Sequence, residues 1–455
     1  MGNLLTTLLN SANALGVYSR ALEVTENNVT NANTPGYAKQ IQSLTALPFD
    51  PAIGLPGGVG AGPMQSTRNA YAERSVQQEQ SANGYQQHIS NDLSQLQGIF
   101  DPSSDSGLST DINKLFSTFS ALSINPNDTV TRQTVLDQAK TVAQSFQNVY
   151  SGLANAAANV RTETGSAVDA VNQLASQIAD INRQRSASGL GTNDAGTDAA
   201  LNEHLEELSQ WVNFSAIQQP DGTLTLYIGG QTPLVVGDQA FSLKADFSAP
   251  QAAIVNSQDI DVTSEVVSGK LAGMLQVANV NLPSYTSDLN TLAKSVADQV
   301  NTTLSDGVDE KGADPQNDLF TYDTKIGAAA TIDTNNLTPS DLAAALPTAP
   351  GGNGNALALA QLGAANSTGG YTFAQFYGNI AGHVGSDLSD AQDAQNVSQQ
   401  LLTQAQTIRQ QISGVSLDEE ATHLIQFQRA YQAVSEMLTV LNDLTGTVLN
   451  ILPTS

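Results

Sequence analysis

The stretch LLTTLLNSANALGVYSRALEVTENNV, residues 4–29, decides the fold. Apolar and small side chains recur in it at alternating intervals of four and three, the heptad spacing of helices that pack side by side. These positions are Leu4, Leu8, Ser11, Leu15, Tyr18, Leu22, Thr25 and Val29. Because Pro35 and Gly36 end the pattern, we predict one helix of about 29 residues and about 43 Å.

The C-terminal end of the chain carries a second heptad pattern. It follows Ser416, a predicted helix N-cap with Glu419 three residues later, which is the capping-box spacing. The pattern comprises Leu417, Ala421, Leu424, Phe427, Tyr431, Val434, Leu438, Leu441, Thr445, Val448 and Leu452. We therefore predict that the two ends pack against each other and against neighbouring copies of the chain.

The interior of the chain is also mainly helical in pattern. A third heptad run spans residues 135–181, with a start signal at 126–128 and a stop signal at Gly189. Weaker helical patterns cover 71–96, 289–304 and 373–412. Residues 211–262 instead alternate with period two around a turn at 220–222. The predicted fold is mainly α with a small antiparallel β insertion, an elongated helical rod whose N- and C-terminal helices pair.

Composition excludes several classes of function. The chain has 17 basic and 43 acidic residues, a net charge of −26, which disfavours nucleic acid and anionic membrane as partners. It has no cysteine, and its four histidines show no His-x-x-x-His spacing. We find no phosphate-binding loop or nucleophile elbow, and we interpret the carboxylate pairs at 206–207 and 419–420 as solvated helix surface. We therefore expect no cofactor, no metal and no enzymatic activity.

The segments beside the two terminal patterns resemble the signatures of the bacterial flagellar axial (rod and hook) proteins. NVTNANTPGY at 28–37 is similar to their N-terminal signature, and GVSLDEE at 414–420 with QRAYQA at 428–433 is similar to their C-terminal one. Three internal runs resemble the members at the hook–filament junction; they lie at 177–182, 268–273 and 289–301. The resemblance covers nearly the whole chain.

The resemblance implies a structural subunit of the flagellum that forms the hook–filament junction through its terminal helices. A hook protein or another rod-type axial protein is the alternative. The implied location is extracellular, after type III export without a cleaved signal peptide. The implied partners are other copies in a ring layer, the hook protein, a second junction protein and an export chaperone on the C-terminal helix. A secreted wall hydrolase and a surface adhesin that binds through the β module are rivals from other classes.

The resemblance also implies a nested domain order. The segments are an inner-domain N-terminal helix (1–40), a helical rod with the long heptad helix (41–210), the β-rich module (211–262), rod helices with an acidic loop (263–330), a reduced outer loop (331–370), a rod return helix (371–413) and an inner-domain C-terminal helix (414–455). The predicted assembly interface comprises Leu4, Leu8, Leu15, Leu22, Val29, Asn31, Asn33, Pro35, Gly36, Tyr37, Leu417, Leu424, Tyr431, Val434, Leu438, Leu441 and Val448.

Overall fold

The computed structural model describes residues 2–50, 55–100, 107–188 and 194–451. The helices are α1 (Gly2–Thr30), α2 (Ala70–Gln97), α3 (Leu108–Ile124), α4 (Thr129–Ser188), α5 (Ala195–Trp211), α6 (Lys270–Gln276), α7 (Leu282–Ser305), α8 (Ala328–Thr331), α9 (Gly354–Leu362), α10 (Phe373–Ser413) and α11 (Leu417–Ile451). The mainly helical fold and the pairing of the terminal helices α1 and α11 confirm the predicted architecture. Two predicted positions, Gly189 and Leu452, lie outside the described residues.

The strands form small antiparallel sheets. They are β1 (Gln40–Ala46), β2 (Phe49–Asp50), β3 (Leu55–Pro56), β4 (Val59–Ser66), β5 (Ser215–Gln218), β6 (Leu224–Ile228), β7 (Thr232–Val236), β8 (Gln239–Ala240), β9 (Lys244–Asp246), β10 (Ala253–Val255), β11 (Phe320–Thr321) and β12 (Asp333–Thr334). β1 pairs with β4, from Gln40 opposite Ser66 to Ala46 opposite Val59. This hairpin lies directly after α1 and is absent from the helical-rod prediction for 41–210.

Helix α4 is the axis on which the rod is built. Its 60 residues span about 90 Å at 1.5 Å per residue. The helix starts where Asp128 Oδ2 accepts a hydrogen bond from Thr131 N at 2.8 Å. Most of its heptad positions, among them Val135, Phe146 and Val171, are fully buried against the surrounding helices, whereas Glu163 in the same run is exposed. The predicted heptad helix is therefore confirmed, and so are the predicted helices α2, α7 and α10.

One continuous hydrophobic cluster joins the rod helices to the β module. Phe116 on α3 stacks on Phe373 of α10 with ring centroids 5.4 Å apart. The segment predicted as a reduced outer loop, 331–370, contributes Ile332, Leu342 and Leu359 to the same cluster. Those residues pack on the rod because their apolar side chains bury surface there.

The β module lies against α4. β5, β6, β7 and β8 form a sheet in that order. Leu226 and Ile228 of β6 and Leu234 of β7 are fully buried. Asn182 of α4 donates to the carbonyl oxygen of Leu224 at 2.7 Å and accepts from its N–H at 2.9 Å. These paired bonds fix the start of β6 to the helix. Among the described residues, no helix is both long enough and apolar enough to cross a membrane.

Candidate assembly site at the base of the paired terminal helices

Helices α1 and α11 lie side by side, each with one face turned to the other. On α1 the buried line is Ser11, Val17, Ala21, Thr25 and Asn28. On α11 a half-buried stripe faces it, comprising Leu424, Phe427, Ala430, Val434, Leu438, Leu441 and Thr445. Few side chains in this contact are fully buried, so the helix pair has a thin core.

Asn28 is the most deeply buried polar side chain of α1, with 1% exposed. Its Nδ2 donates to the carbonyl oxygen of Gln40 at 2.8 Å and to Glu420 Oε2 at 3.1 Å. Its Oδ1 accepts from Gln40 N and from the Tyr37 hydroxyl, both at 2.9 Å. All four hydrogen-bonding positions of the amide are therefore used. One side chain connects the end of α1, the start of β1 and the first turn of α11.

Lys39 neutralises the acidic start of α11. Its Nζ lies 2.7 Å from Glu419 Oε2 and 3.1 Å from Glu420 Oε1, and Glu420 is 1% exposed. The interpretation of this carboxylate pair as solvated surface is therefore wrong for Glu420. A buried carboxylate is stable only with a counter-charge and hydrogen bonds, and Lys39 and Asn28 supply both.

The ionisation of these groups follows from the same contacts. Burial alone would lower the pKa of Lys39, but the neighbouring Glu419 and Glu420 outweigh it and raise that pKa above its usual value. The hydrogen bond from Lys39 and its charge lower the pKa of Glu419. Burial, followed by the charge of Glu420, raises the pKa of Tyr37 to about 12. All three groups therefore keep their ordinary charge states near neutral pH.

Backbone hydrogen bonds hold the same region at the junction between α10 and α11. Lys39 N donates to the carbonyl oxygen of Ser413 at 2.9 Å, and Thr67 N donates to that of Lys39 at 2.9 Å. Ser413 Oγ donates to the carbonyl oxygen of Thr67 at 3.2 Å and accepts from Asn69 N at 3.2 Å. We use "terminal clasp" for Asn28, Tyr37, Lys39, Gln40, Thr67, Ser413, Glu419 and Glu420.

A second charged cluster joins the clasp to the rod. Arg68 Nε lies 2.7 Å from Asp198 Oδ2, and its Nη1 lies 2.6 Å from Glu73 Oε1. Arg409 bridges Glu73 and Glu206, and Arg185 Nη2 lies 3.0 Å from Asp198 Oδ1. We call Arg68, Arg185, Arg409, Glu73, Asp198 and Glu206 the arginine–carboxylate network. Three positive and three negative groups balance within it, so α2, α4, α5 and α10 share a buried neutral cluster.

Gly36 brings the N-terminal signature against α5. Its φ is +67°, and an added Cβ would lie 2.3 Å from the carbonyl oxygen of Ala199. Its own carbonyl oxygen accepts a hydrogen bond from Arg68 Nη2 at 2.5 Å. Only glycine fits this close backbone contact at a positive φ. The signature segment is therefore positioned by both the clasp and the arginine–carboxylate network.

The predicted interface residues fall into two groups in the single chain. The first group is half-buried between or beside the helices and comprises Leu4, Leu8, Leu15, Leu22, Asn31, Gly36, Tyr37, Leu424, Val434, Leu438 and Leu441. The second group is exposed and comprises Val29, Asn33, Pro35, Leu417, Tyr431 and Val448. The first group includes the contacts of α1 with α11. The second group is exposed in the single chain, so neighbouring molecules can reach it.

Sequence reasoning missed Lys39, Arg68 and Ser413, and it named Asn28 and Glu420 without predicting that they contact each other. A local signal existed for two of them. Glu420 is three residues after Leu417 and four before Leu424, so it lies on the apolar face of α11, and Asn28 continues the buried line of α1. A polar residue on a heptad face is a sign of a specific buried contact.

Among the described residues, a further apolar stripe on α11 is left exposed. Met437, Val440, Leu444 and Val448 follow heptad-like spacing and are between 39% and 57% exposed. At 100° per residue, Met437, Val440 and Leu444 lie about 60–120° around the helix from the face that contacts α1, and Val448 lies at the edge between the two faces. Helix α11 thus presents two apolar faces, and α1 covers one of them.

Comparison with known proteins shows which class of protein has this geometry. A model described as the flagellar hook-associated protein FlgK helical domain matches residues 93–320. A second, the flagellar basal body rod FlgEFG protein C-terminal model, matches residues 390–451, which contain α11. Paired terminal helices on a helical rod, with these matches, define an axial structural protein of the bacterial flagellum. The chain belongs to the flagellar hook-associated protein FlgK family, whose helical-domain model spans half of it.

Individual relatives agree with that assignment. The chain is 27% identical over 488 residues to flagellar hook-associated protein 1 of Bacillus subtilis (strain 168), covering 96% of each protein. It is 23% identical over 551 residues to the protein of that name from Escherichia coli (strain K12), covering 98% of this chain and 100% of that one. The structure of the flagellar hook junction protein FlgK from Burkholderia pseudomallei superposes with a TM-score of 0.66. That match covers 74% of this chain and 99% of the other at 16% sequence identity, so it shows a shared fold.

Proposed function

We propose that this chain forms a ring layer at the hook–filament junction, with α1 and α11 as its inner assembly domain. The observation that carries the proposal is the uncovered stripe of Met437, Val440, Leu444 and Val448. An apolar helix face of this length is stabilised by burial against another surface. A neighbouring copy, whose own α11 presents the same stripe beside α1, supplies that surface.

The charge distribution of α11 supports contact between copies. Between residues 421 and 448 the Asp, Glu, Lys and Arg side chains are confined to Arg429, Glu436 and Asp443. Packing this segment against another helix therefore desolvates little charge. The charges of its first turn, at Glu419 and Glu420, are already paired with Lys39. The clasp thus leaves the remainder of the helix pair free for contacts with neighbours.

The finer points of the proposed assembly rest on the resemblance to the flagellar axial proteins. The segments 1–40 and 414–455 form the inner domain, and the rod and β module form the next shell outward. The hook protein contacts one side of the layer and a second junction protein the other. Export proceeds through the flagellar type III apparatus without a cleaved signal peptide. An export chaperone covers α11 before assembly, because its exposed apolar stripe would otherwise associate early.

A substitution on the uncovered stripe tests the assembly face. Val440→Asp places a charge on this stripe, away from the face that contacts α1. We expect the variant to be made and exported but not to enter the junction, so filaments detach from the cells. The matched control is Asn442→Asp, which adds the same charge on the opposite, exposed side of α11. Normal filament attachment with Val440→Asp would contradict the assembly face.

Deletion of the gene tests the function itself. Cells without this chain should assemble hooks and release filament subunits into the medium. Electron microscopy of the cells and quantification of the released subunits give the readout. Attached filaments of normal length would contradict the junction role, whereas loss of the hooks as well would favour the alternative of a hook or rod protein.

A further inference from the structure

A group of possible metal ligands lies between α2 and α4, far from the terminal clasp. His88 and Asp92 are one turn apart on α2, and Glu163 faces them from α4. His88 Nε2 lies 3.1 Å from Asp92 Oδ2 and 3.8 Å from Glu163 Oε2. One donor atom from each of the three residues lies within 4.8 Å of the others. Because Glu163 comes from a different helix, the one-turn spacing of His88 and Asp92 does not by itself mark the group in the sequence.

Two of these donor atoms are buried and make no hydrogen bond. His88 Nε2 and Asp92 Oδ2 have no partner of acceptable hydrogen-bond geometry, although they lie close to each other. Asp92 is 8% exposed, and the His88 side chain is 11% exposed. Leaving a buried carboxylate oxygen unsatisfied is costly, and buried polar atoms almost always have a partner. A cation bound to both atoms would satisfy them together.

The separations fit a small divalent cation. Donor atoms about 2.0–2.2 Å from a tetrahedral zinc ion lie about 3.3–3.6 Å from one another. The two measured separations, 3.1 and 3.8 Å, lie on either side of that range. A metal placed among the three donors therefore needs only small side-chain rotations. The half-exposed Glu163 has the freedom to make them.

We propose that His88, Asp92 and Glu163 bind a zinc-class divalent metal ion that links α2 to α4. One imidazole nitrogen with two carboxylate oxygens suits zinc and its neighbours, whereas calcium and magnesium prefer oxygen ligands alone. The remaining coordination position opens to a solvent cleft of about 460 Å³. Lys270 lines the same cleft, with its ammonium group over the Trp211 ring. The ion stabilises the middle of the rod.

Cobalt(II) titration of the full-length chain tests this site, because cobalt bound by nitrogen and oxygen donors absorbs visible light. After treatment with a chelator, the unmodified protein should show a saturable spectrum at one ion per chain. His88→Gln and Glu163→Gln should weaken binding at least about tenfold. Glu163→Gln changes a half-exposed side chain and keeps its volume, so the fold is retained. Zinc should displace the cobalt, and magnesium at the same concentration should not.

The matched control is His204→Gln. His204 also lies beside a carboxylate, Glu207 at 3.6 Å, but has no second acidic partner. This variant should bind cobalt as the unmodified protein does. If His88 is only a protonated partner of Asp92, cobalt binding will be weak and equal in all four proteins, which overturns the proposal. An unchanged cobalt spectrum in His88→Gln also overturns it.

Discussion

At the scale of single residues, the terminal clasp depends on an uncharged amide placed beside a charged pair. Asn28 uses both its donors and both its acceptors without carrying a charge into the helix contact. Lys39, which directly precedes β1, then balances Glu419 and Glu420. The amide supplies a hydrogen bond and the lysine supplies the opposite charge. The buried carboxylate of Glu420 is therefore both hydrogen-bonded and neutralised, which is the condition for a stable buried charge.

Gly36→Ala should open the clasp. The new Cβ would overlap the carbonyl oxygen of Ala199 at a φ of +67°. We expect the free energy of local opening of residues 31–40, measured by hydrogen exchange, to fall by about 1–3 kcal/mol. The control is Gly16→Ala on α1, where an added Cβ meets nothing within 4 Å. That change should leave the clasp unchanged and stabilise α1 by about 0.5–1 kcal/mol. Equal protection of 31–40 in both variants would show that Gly36 does not position this segment.

The clasp should weaken in acid because of Glu419. Its pKa is lowered in the folded protein by Lys39, so below the unfolded value of about 4.3 the unfolded chain binds more protons. Its contribution is therefore complete above that value and is lost as pH falls through the folded pKa. Lys39 behaves oppositely: its raised pKa gives a contribution that is present below about 10.4 and lost as pH rises further.

Hydrogen exchange of residues 414–424, corrected for intrinsic rates, measures this dependence. Protection should be greatest between about pH 5 and pH 10. Glu419→Gln should flatten the acid side of the profile. If the acid side of the profile is the same in Glu419→Gln as in the unmodified protein, other carboxylates cause the loss of protection in acid.

At the scale of elements, α1 and α11 differ from the rod helices in how much they bury. Helix α4 buries apolar side chains along its whole length, whereas on α1 the fully buried apolar side chains are Val17 and Ala21 among those described. Long helices gain most of their stability from packing, and a thin contact gives little of it. The terminal pair is therefore the least stable part of the molecule when it stands alone.

Assembly should stabilise this helix pair. In the free monomer, amides of α1 and α11 should exchange much faster than those of α4, and assembly should protect them selectively. Hydrogen exchange with mass spectrometry on monomer and assembled layer measures both states. The amides of α4 serve as the internal control, since their packing is complete within one chain. Full protection of α1 and α11 in the monomer would contradict the dependence on neighbours.

At the scale of the whole molecule, the arginine–carboxylate network joins the clasp to the rod. Arg68 is central, with Glu73, Asp198 and the Gly36 carbonyl oxygen as its partners. Arg68→Ala leaves two largely buried carboxylates short of a partner, which should lower the free energy of unfolding by about 3–5 kcal/mol. Urea unfolding followed by circular dichroism measures this change.

Arg183→Ala is the control for that measurement. Arg183 is also on the rod and contacts Asp180 and Asp238, but its side chain is 59% exposed. An exposed ion pair contributes about 0–1 kcal/mol, so this variant should unfold almost as the parent does. Similar losses in the two variants would mean that Arg68 acts only as a surface charge.

The sequence by itself determined the helices and their faces. The intervals of three and four residues at the two ends and in 135–181 correspond to α1, α11 and α4. The N-cap at Ser416 is also confirmed, since its Oγ accepts from Glu419 N at 3.5 Å. These features were predictable because helix periodicity and capping depend on residues within a few positions of each other.

The tertiary structure alone decided which polar groups meet. Asn28 and Glu420 are 392 positions apart in the chain, and Arg68 and Asp198 are 130 apart. It also placed the apolar side chains of 331–370 on the rod and brought His88 and Glu163 together across two helices. Periodicity states which face of a helix is buried but not which helix covers it. That choice belongs to packing and charge pairing across the whole chain, and at the uncovered stripe of α11 we propose that it belongs to the neighbouring molecule.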